Sequence, residues 1–290
     1  MACLPRTDLA CERHGAATDR SGCTYTEEKR GICRVHTLRV ESEEAAERLG
    51  TARGTYETLF FPPPWETGAE EDAAVEEELA RLLEKTAATV LGGDEFAGRR
   101  ILAVGLGNRR MTADAVGPRA ADGITATAHL RAYRPSLLAR LCCAELAVIV
   151  PGVMAQSGME SADLIRAAAA AFRPHLVLLI DALAARSFDR LGTTIQVADS
   201  GMAPGSGIGN CRAPLNRETL GCPVISVGVP TVTDTDTLLR DRLTEAGVTP
   251  PEEAAAGRYF VSPRDADLLT EKLSRCIAGA INTVFGIPLT

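Results

Sequence analysis

Two aspartates carry the chemistry that this sequence offers. The apolar run Ile101–Val104 has the length and branching of a buried strand, and Asp114 follows it after the turn Gly105-Leu-Gly107. A second run, His175-Leu-Val-Leu-Leu-Ile-Asp181, ends directly in an acid. Open α/β sheets gather ligands in the crevice at the carboxyl ends of their strands, so both side chains are expected at one edge. A pair of carboxyl groups held close together shares a proton and titrates as a unit. The ionised member then draws a proton from water while the protonated one polarises a carbonyl, the combination that peptide hydrolysis requires. The same two acids can instead hold a divalent cation that activates water. The residues alone leave that alternative open, as they do a non-catalytic α/β module that binds an anion at its glycine loops.

The elements that must position these acids are legible from residue 100 onward. Strands are expected at 101–105, 145–150, 175–180, 193–197 and 223–228, alternating with helices at 114–122, 136–142, 160–172 and 263–284. That alternation marks a mainly parallel sheet. Before it, residues 1–36 are polar and rich in cysteine, and read as an irregular arm. Thr37–Val40 alternates as a short strand, and Ser42 caps a helix over Glu43–Leu49 that Gly50 ends. Thr55–Phe61 alternates as another strand, and an alanine- and glutamate-rich helix spans Glu70–Leu91. One α/β domain with an N-terminal excursion over 9–99 and a core over 100–290 accounts for the pattern.

Composition excludes several classes. The 290 residues carry a net charge of −7 and are 46% apolar, so no basic stripe for nucleic acid is expected. No apolar run approaches the roughly 18 residues of a membrane span. The first residues lack the charged and apolar segments of a secretory signal, and an intracellular chain is expected. The nine cysteines show no C-x-x-C, and the four histidines show no paired ligand spacing, which favours free thiols over a structural metal. Gly105-Leu-Gly-Asn-Arg-Arg110 lacks the third glycine of a dinucleotide fingerprint. Pro204-Gly-Ser-Gly-Ile-Gly-Asn210 has the composition of an anion-binding nest or of a plain loop. No G-x-S-x-G is present, so a serine hydrolase has no foothold.

Several blocks of the sequence together resemble the germination proteases of spore-forming bacteria. They are Val104-Gly-Leu-Gly-Asn108 through Thr112-Ala-Asp-Ala-Val-Gly-Pro118, Pro151–Gly158, Ile180-Asp-Ala-Leu-Ala-Ala-Arg-Ser187, Thr193–Val197, Pro204–Asn210 and Val227–Thr231. The resemblance implies a three-layer α/β/α sandwich similar to that of hydrogenase maturation endopeptidases. It also implies a sequence-specific endopeptidase that degrades small acid-soluble, DNA-coating spore proteins, with Asp114 and Asp181 as catalytic acids and no cofactor. A homotetramer in the forespore and spore core is implied as well. Members of the family are made as zymogens that clip themselves near the N-terminus. Thr7-Asp-Leu-Ala-Cys-Glu12 is similar to their cleavage motif, so 1–8 is expected as a propeptide, with the cut between Asp8 and Leu9. An acid before the scissile bond calls for a cation, and Arg109, Arg110 and Arg186 lie beside the catalytic segments as candidates.

Overall fold

The computed structural model describes residues 7–203, 213–249 and 259–287. Helix α1 (Ala10–Ala16) leads into strands β1 (Cys23–Arg30) and β2 (Cys33–Val40), then α2 (Glu43–Leu49), β3 (Gly54–Phe60) and the long α3 (Ala69–Leu91). Next come β4 (Arg100–Gly105), α4 (Val116–Gly123), α5 (Leu130–Tyr133), α6 (Pro135–Leu141) and β5 (Glu145–Ile149). They are followed by α7 (Met154–Ser157), α8 (Ser161–Phe172), β6 (Leu176–Ala185) and β7 (Thr194–Ala198). Helix α9 (Arg217–Leu220), β8 (Val224–Asp234), α10 (Thr235–Glu245), β9 (Phe260–Val261) and α11 (Ala266–Phe285) complete the described chain.

The strands form one sheet in the order β1-β2-β3-β7-β8-β6-β4-β5, with β9 added to β8. Its centre, β8-β6-β4-β5, is parallel, and the strands on the β1 side pair antiparallel. Successive side chains of a strand point to opposite faces, so each central strand feeds two cores. Ile101, Ala103, Leu178 and Ile180 pack with α3, α4 and α11 through residues such as Leu82, Val116 and Ile277. Leu102, Val104, Val177 and Leu179 pack on the other face with Ile165 of α8. Helices therefore cover both faces, giving the expected α/β sandwich.

The N-terminal arm departs from the expectation of irregular chain. Residues 23–40 form a hairpin, with Cys23 opposite Val40 and Arg30 opposite Cys33. The sequence hides β1 because it is an edge strand mostly of Thr, Glu, Lys and Arg, in which only Cys23 and Tyr25 pack against the core. The helix α2 matches its expected bounds, with Ser42 Oγ accepting from Ala45 N–H and Gly50 left-handed at φ 63°.

Strands β6 and β8 run well past their expected ends. Strand β8 continues past Pro230 through a bulge in which the pairing shifts from Leu183–Pro230 to Ala184–Val232. Thr231 is the extra residue, and bulges of this kind re-aim side chains near functional sites. On its other side, β6 loses its neighbour early: β4 ends at Gly105, opposite Ile180, while β6 runs on to Ala185. The close fit of α4 under this junction depends on Gly117, where a Cβ would stand 2.2 Å from Leu106 O and 2.4 Å from Ile180 O.

Candidate active site

Asp181 occupies the first β6 position beyond β4 and is 6% exposed. Its Oδ1 accepts from the N–H of Ala182 at 2.9 Å. Asp114 arrives from the other strand by a short turn over Thr112–Asp114. Gly107 makes that approach possible, because at φ +113° a Cβ would stand 2.2 Å from Asp114 O and 2.9 Å from its Oδ1. Asn108 N–H donates to both Asp114 O and Oδ2, each at 2.9 Å, which fixes the direction of the carboxylate. The turn is tied down further by Thr231 Oγ1, which donates to Ala113 O at 2.6 Å, and by Thr270 Oγ1, which donates to Thr112 O at 3.2 Å.

Asp114 and Asp181 line the same cavity of about 210 Å³, together with Leu106, Met111, Leu183 and Asp8. A second cavity of about 290 Å³ shares Asp8, Asp181 and Leu183 with the first and adds Arg13, Tyr56 and Gln196. The structure thus brings both sequence-derived acids to one crevice, and a third carboxylate joins them from the N-terminal arm.

That arm docks on the open edge of β6. Asp8 N–H donates to Ala184 O at 2.9 Å, and Ala184 N–H returns a bond to Asp8 Oδ2 at 2.9 Å. Leu9 is fully buried against Leu183, Ala185 and Leu191. Glu12 reaches back, its carboxylate accepting from Arg186 N–H at 2.7 Å, Ser187 N–H at 3.0 Å and the Thr7 hydroxyl at 2.5 Å. Two acids of the arm are therefore met by peptide N–H groups.

The three arginines sit elsewhere. Arg186 grips Asp241 through Nε at 2.8 Å and its terminal nitrogen at 2.6 Å, a pairing that raises its pKa. Arg109 pairs with Asp122, and the guanidinium likewise holds that carboxyl below its ordinary range. Arg110 is exposed, with its backbone N–H donating to Asn108 Oδ1 at 3.1 Å. None of these side chains lines either cavity. Bidentate pairing with a neighbouring acid holds Arg109 and Arg186 where the spacing had offered them to a ligand.

Asp234 caps α10 by accepting from Thr237 N–H at 3.1 Å. Among the described residues no group of three or more His, Cys, Asp or Glu side chains is placed to hold a metal ion. The glycine-rich stretch Pro204–Asn210 lies outside the described residues. Thr231, Ala184 and Gln196 were missed by sequence reasoning. A threonine after Val-Pro inside an apolar run was the one signal available, and it marks the bulge.

The sequence profile of the germination protease family matches residues 6–245, a span that holds both acids and the strands that carry them. Among relatives, the germination protease of Clostridium tetani (strain Massachusetts / E88) is 32% identical over 313 aligned positions, covering 96% of this chain and 94% of its own. That of Clostridium acetobutylicum is 31% identical with the same coverage. That of Caldanaerobacter subterraneus subsp. tengcongensis is 35% identical over 82% of this chain and 72% of its own. Likeness of this extent, running through the scaffold of the crevice itself, makes the chain a member of the germination protease family and hence a peptidase.

Proposed function

We propose that this peptidase cuts small acid-soluble spore proteins with Asp114 and Asp181 as its acid–base pair, and that it first cuts itself between Asp8 and Leu9. Residues 1–8 are then the propeptide, and 9–290 the mature peptidase domain. The observation that carries this reading is the meeting of Asp114, Asp181 and Asp8 around one cavity. Asp8, the residue before the proposed scissile bond, lines the same cavity as the acids that follow the apolar runs of β4 and β6. Water is the nucleophile. One carboxylate takes its proton, and the other carboxyl, protonated, polarises the carbonyl of Asp8.

An acid before the scissile bond is received by Ala184 N–H, and the acid four residues beyond it by the N–H groups of Arg186 and Ser187. Arg186 then contributes through its backbone while its guanidinium stays with Asp241. The resemblance further supports a homotetramer working in the forespore and spore core.

The test is a pair of isosteric changes, Asp114→Asn and Asp181→Asn. Each is expected to lower turnover of a peptide spanning Thr7–Glu12 by about 10²–10⁴-fold, the usual share of general acid–base catalysis. Each is also expected to leave the chain at full mass while the unmodified protein matures to a form beginning at Leu9. Normal turnover in either variant removes that acid from the mechanism. A mature form beginning at another residue removes the assigned bond.

A further inference from the structure

Gln196 lies on β7 directly opposite Gly228 of β8, and Gly228 lies opposite Asp181 of β6. Residues opposite one another in a sheet share a face, so Gln196 and Asp181 project from the same side. They stand two strand spacings apart, about 10 Å. The residue between them has no side chain, and Leu183 fills the space, its Cδ1 2.4 Å from where a Cβ would be. Gln196 is 7% exposed.

Its side chain straddles the Asp8–Leu9 peptide. Ala10 N–H donates to Gln196 Oε1 at 2.8 Å, and Gln196 Nε2 donates to Asp8 O at 3.3 Å. The two ends of the amide are not interchangeable here. A backbone N–H only donates and a carbonyl only accepts, so one orientation alone satisfies both contacts. Burying a glutamine is unfavourable unless its polar atoms are met, and this one is met entirely by the backbone of the segment to be cut.

We propose that Gln196 is a catalytic residue that holds the scissile segment through Oε1 and stabilises the charge developing on Asp8 O through its Nε2–H. The proposal rests on the reading that Asp8–Leu9 is the bond cleaved. As the water oxygen bonds to the carbonyl carbon of Asp8, the water gives one proton to the ionised carboxylate. The carbonyl π pair moves onto Asp8 O, which takes the proton of the protonated carboxyl and a hydrogen bond from Gln196. When the C–N bond breaks, its electron pair leaves with Leu9 N, which receives the proton held by the first carboxylate. The second carboxyl recovers its proton from the new acid. Gln196 gains and loses none. A donor contact of 3.3 Å is long for an N–H bond, and such a contact accelerates the reaction by tightening as charge builds rather than by binding the ground state.

The experiment compares the full chain with Gln196→Met and Gln196→Glu, following a Thr7–Glu12 peptide added in trans and self-processing by intact mass. Gln196→Met is expected to lower kcat by about 10²-fold, the loss typical of one oxyanion donor, and to raise KM as well because the acceptor for Ala10 N–H is also lost. Gln196→Glu keeps an acceptor for Ala10 N–H but loses the donor. Its kcat relative to the unmodified chain is expected to be low at pH 7.5 and to recover as the introduced carboxyl protonates. If Gln196→Met does not fold, the isosteric glutamate variant decides. Unchanged kcat with only a raised KM or a lowered Tm makes Gln196 a clasp for the arm and overturns the proposal. If the unmodified chain matures at a bond other than Asp8–Leu9, the assigned cleavage falls and this role with it, whereas correct maturation with full kcat in the variants sinks Gln196 alone.

Discussion

Asp181 is an acid set inside an aliphatic strand, where a charge is costly unless polar groups receive it. Asp114 avoids that cost by standing on a turn that its own neighbours fasten. Both were visible in the sequence because each follows an apolar run read as a strand, and the two were read together as a pair. Gln196 was not visible, since a single glutamine among alternating strand residues reads as a solvent-facing position. The donor at Ala184 is beyond any reading of side chains, because it belongs to the peptide backbone. Burial also decides how the thiols behave. The seven described cysteines are free, in line with the reading of their spacing. Burial, with Glu12 adding to it, pushes the Cys11 thiol up to about 11, and burial pushes that of Cys276 up as well. Since the thiolate is the reactive form, iodoacetamide at pH 8 is expected to label exposed Cys142 while sparing Cys11 and Cys276 until the chain unfolds. Peptide mapping after a timed pulse checks this, and early labelling of Cys11 contradicts it.

At the scale of elements, the offset between β4 and β6 creates the site. Five residues of β6, from Asp181 to Ala185, run on past β4 with β8 on one side, and the N-terminal arm bonds Ala184 on the other. The strands themselves were legible from their apolar runs, but their lengths were not, because β8 runs on past Pro230 through a bulge. The hairpin that supports α1 was hidden for the opposite reason, its outer strand being mostly polar. This hairpin carries a pH dependence. His14 stacks on Tyr25 with ring centres 4.9 Å apart, and the Tyr25 hydroxyl bonds His36 Nδ1 at 2.6 Å. Burial lowers the pKa of His14, Arg20 adding to it, and burial lowers that of His36. With folded values below the ordinary 6.5, the unfolded arm binds more protons on acidification. The stabilising contribution is present above about pH 6.5 and is lost as pH falls below it. Amide exchange across α1, β1 and β2, corrected for intrinsic rates, is expected to be faster at pH 5.5 than at pH 7.5. A His14→Gln/His36→Gln variant with undiminished pH sensitivity would argue against this origin.

Across the whole molecule, nine strands form one sheet within the described residues, and the expected division at residue 100 does not interrupt it. Strand β3 pairs with β7, so the N-terminal excursion is built into the sheet that carries the two acids. Among those residues no helix is long and apolar enough to cross a membrane. The polar edge at β1 resists edge-to-edge pairing. Apolar Val150, Met154 and Met159 are exposed in and around α7. Light scattering of the intact protein is expected to give about four times the chain mass of 30.7 kDa. A mass near one chain across the micromolar range rules out the tetramer. Layer architecture was legible because periodicity reports which face is buried. Assembly was not, since it depends on which exposed side chains meet.

The acid of the N-terminal arm is greeted by a main-chain group, and this restricts how the enzyme can be retargeted. Exchanging the side chain at position 184 leaves the amide hydrogen in place unless proline is introduced, and proline would also fix the local torsion of the strand. A redesign that sought a basic residue there would have to bring in an acceptor from elsewhere. Under the proposed function, preference for an acid before the scissile bond is a property of the strand's spine.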